Sequence, residues 1–147
     1  MEKLEYTILI DAPRETVWNI LWNDATYPVW TAVFSEGSRV ETDWNEGSKV
    51  LFLGGEHEGM ISSIAANRPN ELMSFKHLGV IKNGVEDYDS EATKLWAGAH
   101  ENYTLKTVDG QTELTVDLDV TEQDKAYFLK TWPTALDKVK ELAEKGA

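Results

Sequence analysis

His77 and Glu101 are the residues of this chain whose types and placement could carry proton chemistry. Alternate positions along Glu71–Leu78 put Met73, Phe75 and His77 on one face. Along Ala99–Thr107 they put Glu101, Tyr103 and Leu105 together, while His100 turns away with Asn102 and Thr104. If the two segments pair antiparallel, the end of the first lies opposite the start of the second, and His77 meets Glu101 at the rim of the space those faces enclose. A carboxylate at an imidazole fixes its tautomer, so the pair can hold a proton, orient a ligand or act as a general base. It can equally be structural. Tyr103 carries the same two readings, a core aromatic with a satisfied hydroxyl or a ligand contact.

Other chemistries find no support. The chain has no cysteine, which excludes thiolate nucleophiles and thiolate metal sites, and His57, His77 and His100 form no metal-ligand spacing. Glu86, Asp87, Asp89 and Glu91 lack the ordered oxygen spacing of a calcium loop and read as a solvated charge run. Gly54-Gly55 is not followed by the Lys-Ser/Thr of a phosphate cradle. No cofactor and no metal are expected. Twenty-six acidic against 14 basic side chains, a formal charge of -12, repel phosphate backbones and anionic lipid surfaces, so nucleic acid is not an expected partner. Met1-Glu2-Lys3 passes directly into an alternating pattern with no apolar leader or membrane-length run, and the expectation is a cytoplasmic protein without membrane insertion.

The elements that would position the pair follow from periodicity. Leu4, Tyr6, Ile8 and Ile10 alternate as a first strand, and Pro13 with Glu15 opens a short helix through Val17, Ile20 and Leu21. A second short piece covers Asn23–Trp30, broken by Pro28. Strands are predicted at Ser38–Asp43, Ser48–Leu53, Glu58–Ala66, Glu71–Leu78, Ala99–Thr107 and Gln111–Val120. Turns fall at Asn45-Glu46-Gly47, Gly54-Gly55-Glu56, Arg68-Pro69-Asn70 and Asp109-Gly110. The stretch from Gly79 to Gly98 reads as one long loop, with Leu95-Trp96 as an apolar foot that brings Trp96 to the cavity mouth. Thr121 caps a final helix with Asp124 in its first turn, and Pro133 is expected to bend it. Leu129, Trp132, Leu136, Val139 and Ala143 form its apolar stripe, widened by Phe128, Ala135 and Leu142. So broad a face needs a curved sheet to lie on. The 147 residues suit one domain, residues 1–147.

This order of elements resembles the START-like or helix-grip fold, the Bet v 1-like or SRPBCC superfamily. The resemblance is carried by Ile10-Asp11-Ala12-Pro13-Arg14-Glu15-Thr16-Val17-Trp18, by Tyr27-Pro28-Val29-Trp30, by Gly59 with Arg68-Pro69-Asn70-Glu71-Leu72, and by Trp132-Pro133-Thr134-Ala135-Leu136-Asp137-Lys138-Val139. The last resembles the closing helix of the heat-shock protein 90 ATPase activator-like branch, with Thr131 where many members carry Gly. The resemblance implies an α+β fold: a seven-stranded curved antiparallel sheet wrapped around a long C-terminal helix, with two short helices after the first strand. It also implies a cavity between sheet and helix that takes a small apolar or amphipathic ligand. His77, Glu101, Tyr103, Trp96, Trp132 and Phe75 are the candidate ligand contacts. Two alternatives stay open: a chaperone-accessory or self-associating interaction domain, and an enzyme of polyketide cyclase or hydrolase type with the His77–Glu101 pair as its base.

Overall fold

The computed structural model describes residues 1–54 and 58–145; His57 and part of the Gly54-Gly55-Glu56 turn lie outside them. In chain order the elements are β1 (Glu2–Ile10), α1 (Arg14–Trp22), α2 (Tyr27–Trp30), β2 (Arg39–Glu41), β3 (Lys49–Leu53), β4 (Gly59–Arg68), β5 (Leu72–Lys82), β6 (Val85–Asp87), α3 (Glu91–Lys94), β7 (His100–Val108), β8 (Gln111–Val120) and α4 (Glu122–Glu144). The strands form one antiparallel sheet in the order β1-β8-β7-β5-β4-β3-β2, with β6 attached to the far end of β5. Its inner face is covered by α4, with α1 and α2 packed alongside that helix. The core runs through Ile10, Ile64, Phe75, Tyr103 and Leu114 on the sheet to Trp132, Ala135 and Val139 on α4.

Local chemistry explains the boundaries. The hairpin joining β7 and β8 turns on Asp109 (φ 50°) and Gly110 (φ 79°), the two positive φ angles of a tight turn whose twist matches its strands. Thr121 caps α4 by accepting the N–H of Asp124 at 3.3 Å, and the helix continues through Pro133. Pro28 sits in the first turn of α2, where a missing N–H deprives the helix of nothing, so it starts that helix instead of breaking it.

The sheet has eight strands where seven were expected, because β6 adds to β5, and three further expectations are corrected. Gly79–Gly98 is not a single loop: β5 runs on to Lys82 and turns at Asn83 (φ 52°) and Gly84 (φ 77°) into β6. Ser90 then caps α3 by accepting the N–H of Thr93. The Asn-Gly pair is a strong hairpin signal, masked by the acidic residues around it. Leu95 is 63 % exposed, so Trp96 alone reaches inward from this segment. Leu129 is 49 % exposed and Thr131 is buried, although Leu136 and Ala143 lie on nearly the same side of α4 as Leu129 and are buried, so the cover over that side stops short of position 129.

Two bulges decide what the sheet presents. Between the pairs Ile61↔Gly79 and Ser62↔His77, β5 carries one extra residue, Leu78; between Ile64↔Phe75 and Ala66↔Ser74, β4 carries Ala65. A one-residue insertion reverses the alternation of faces. Met73, Phe75 and His77 therefore point inward by odd numbering, whereas Val80 beyond the bulge reaches the same cavity by even numbering.

Candidate functional site

A cavity of about 470 Å³ opens between the sheet and the N-terminal half of α4. The sheet contributes Phe52, His77, Glu101 and Tyr103, and α4 contributes Phe128 and Trp132. Tyr27, Trp30 and Phe34 close one side from α2 and the turn after it, and Trp96 lines the cavity from the segment after α3. The walls are mostly aromatic. Trp132 packs against Phe34 at 5.0 Å between ring centroids and against Tyr103 at 6.1 Å, so one ring assembly is both core and cavity wall.

The polar centre is a four-residue chain across three adjacent strands. Glu101 on β7 is opposite Phe75 on β5, which brings Glu101 Oε1 to 3.2 Å from His77 Nε2. On the other side, His77 Nδ1 lies 2.6 Å from the hydroxyl of Ser62 on β4, its register partner. Tyr103, two residues along from Glu101 on the same face, donates its hydroxyl to Glu101 Oε2. Oε1 can only accept, so the contact places a proton on His77 Nε2; in the neutral imidazole Nδ1 then accepts from Ser62. Both ring nitrogens are thereby engaged, and the Glu101 carboxylate is held by one donor on each oxygen.

The electrostatics follow from this placement. Burial, reinforced by the Glu101 carboxylate beside it, raises the Tyr103 phenol well above its usual pKa. Burial and then the same carboxylate push the Tyr27 phenol up as well. Both phenols remain neutral donors at any physiological pH. The indole N–H groups of Trp22 and Trp132 are buried with no hydrogen-bond partner among the described residues. Each lies within an aromatic cluster; Trp22, for instance, is 4.8 Å edge-on to Tyr103.

Of the six residues singled out from the sequence, His77, Glu101, Tyr103, Trp96 and Trp132 line the cavity. Phe75 does not: it is fully buried beneath the lining, edge-on to Phe52 and Trp22. Sequence reading missed Ser62, a polar residue between Met60 and Ile64 in the inward row of β4, because its pairing with His77 depends on the bulge at Leu78. It also missed Tyr27 and Phe34, which enter from the one-turn helix α2 and the turn after it, too short for a periodicity to orient them.

Residues 11–144 match the family described as Activator of Hsp90 ATPase homolog 1-like protein. No curated protein matches the sequence. Among solved structures, the Aha1 dimer from Colwellia psychrerythraea is similar with a TM-score of 0.74 and 19% identity over 98% of this chain and 97% of that one. Protein MLL2253 from Mesorhizobium loti is similar with a TM-score of 0.73 and 16% identity over 99% of both chains. DynU16, a putative protein in the dynemicin biosynthetic locus, gives a TM-score of 0.72 and 15% identity over 99% of this chain and 48% of that one. At these identities the likeness is one of fold. The chain presents a helix-grip architecture with an aromatic cavity beneath its closing helix.

Proposed function

The chain belongs to the Activator of Hsp90 ATPase homolog 1-like family, and from that premise we propose that it binds a small apolar or amphipathic molecule in the cavity between the sheet and α4. The observation that carries this reading is the cavity itself. Its volume of about 470 Å³ is in the range of small-molecule sites, and its walls are aromatic around a few convergent polar groups. Rings from α2, β3, β7 and α4 desolvate the body of the ligand, while Glu101 and Tyr103 fix its orientation. Trp96 at the mouth governs access.

The arrangement around His77 favours binding over catalysis. Ser62, His77 and Glu101 share the connectivity of a serine–histidine–carboxylate triad, but the hydroxyl that His77 Nδ1 would activate is fully buried and does not line the cavity, so it is out of a substrate's reach, and Glu101 engages the other nitrogen. The pair therefore positions the carboxylate.

Titration with a neutral solvatochromic dye such as Nile red tests the reading. Saturable one-to-one binding that quenches tryptophan emission is expected, because Trp30, Trp96 and Trp132 border the site. A folded protein that shows no saturable uptake overturns it.

A second reading, a chaperone-accessory surface, is favoured by one feature. Val29 and Val33 are exposed in a shallow groove between α2 and α4, edged by Asp137, Lys138 and Glu141. Amide shift changes confined to this groove on mixing with a purified Hsp90-class chaperone would support it; unchanged spectra would remove it.

A further inference from the structure

We propose that the ligand is an organic cation, an amine or ammonium head on an aromatic or aliphatic body, seated with its head at Glu101; this rests on reading the cavity as a ligand site. The first observation is the sign of the charge around the cavity. The residues that line it include the acidic Glu58, Glu101 and Asp124, and among the described residues that line it there is no Lys or Arg. The three residues between Gly54 and Glu58 are Gly, Glu and His, so no Lys or Arg stands there in the sequence either.

The second observation is how Glu101 is held. Its side chain is about four-fifths buried, 19 % exposed, and its partners His77 and Tyr103 each engage one oxygen. His77 and Tyr103 each donate one hydrogen bond to it, and no Lys or Arg among the described residues pairs with this carboxylate. Each carboxylate oxygen has a further lone pair available to an incoming N–H. A partly desolvated carboxylate without a Lys or Arg partner is completed best by a cation, through a charge-assisted hydrogen bond.

The third observation is the wall. Tyr27, Trp30, Phe34, Phe52, Trp96 and Trp132 surround the space, and aromatic faces attract ammonium groups. The positive N-terminus of α4, whose first turn lines the cavity at Asp124, is met within that turn by Glu122 and Asp124. An anionic head such as a fatty-acid carboxylate would enter a confined space among like charges. The overall charge of -12 draws cations toward it at longer range.

The test compares three probes with one body and different heads: phenylbutylamine, phenylbutanol and phenylbutyrate, titrated into the wild-type protein by calorimetry at neutral pH. The amine is expected to bind at least about tenfold more tightly than the alcohol, the scale of one charge-assisted contact, with the carboxylate weakest. Glu101→Gln should weaken the amine by more than it changes the alcohol, closing the gap between the two heads. Alcohol or carboxylate binding as tightly as the amine overturns the cation assignment while leaving the cavity reading in place. If none of the three binds and the neutral dye also fails, both readings fall; if the dye binds and the amine does not, only the assignment falls. The head-group comparison needs no variant, so a Glu101→Gln protein that does not fold leaves the test intact.

Discussion

Ser62 and His77 are opposite one another on β4 and β5, and the serine hydroxyl lies 2.6 Å from the imidazole Nδ1 in a fully buried position. This contact, made possible by the extra residue Leu78, aims the other ring nitrogen at Glu101 and so sets the orientation of a carboxylate in the cavity wall. A hydroxyl out of reach of solvent thereby determines what a ligand meets.

Ser62→Ala should leave Nδ1 buried without a partner and destabilise the protein by about 1–3 kcal/mol, measured by denaturant unfolding. The imidazole nitrogen shifts of His77 should change at the same time, since the tautomer is no longer held from that side. An unchanged stability together with an unchanged imidazole spectrum would show that the hydroxyl does not hold the ring.

Alkaline pH should unfold the protein through Tyr27 and Tyr103. Both phenols have raised pKa values, by burial first and then by the Glu101 carboxylate. The unfolded chain releases these protons above about pH 10, where the folded chain still holds them. The stabilisation is therefore complete below that pH and is lost as pH rises above it. Phenolate absorbance from these two residues, assigned with Tyr27→Phe and Tyr103→Phe, should appear only with the loss of circular dichroism. Ionisation of either within an intact fold would contradict the placement.

Two leucines about two turns apart on nearly the same side of α4 should respond in opposite ways. Leu136 is buried and Leu129 is half-exposed. Leu136→Ala should cost about 2–5 kcal/mol through lost burial and an unfilled cavity, whereas Leu129→Lys should stay within about 0.5 kcal/mol. Chemical denaturation of the two variants checks this, and comparable losses at both would mean that this side of the helix is covered along its whole length.

Trp96→Ala should change the rate of dye uptake while altering stability by no more than about 1.5 kcal/mol, because the indole borders the mouth and the main core lies between α4 and the sheet. Stopped-flow fluorescence reads the uptake, and a rate equal to wild type would remove Trp96 from any role at the mouth.

The architecture was legible in the chain because each of its determinants is local. The alternation of Leu4, Tyr6, Ile8 and Ile10, the Asp109-Gly110 turn and the Thr121 cap each act over a few residues, and the structure contains all three. The His77–Glu101 contact was also legible, since strand parity and one antiparallel pairing are enough to produce it. What the tertiary structure alone decided depends on register and on the approach of distant segments. The Leu78 bulge is a property of the β4–β5 pairing and carries no mark in either strand, yet it selects Ser62 as the partner of His77 and turns Val80 inward. Phe75 shares a face with His77 in the sequence, but neighbouring rings seal it beneath the cavity wall. That Leu129 is half-exposed while Leu136 and Ala143 on the same stripe are buried was set by how far along α4 the packed elements reach, which helical periodicity leaves open because it defines a face but not the length over which that face is covered.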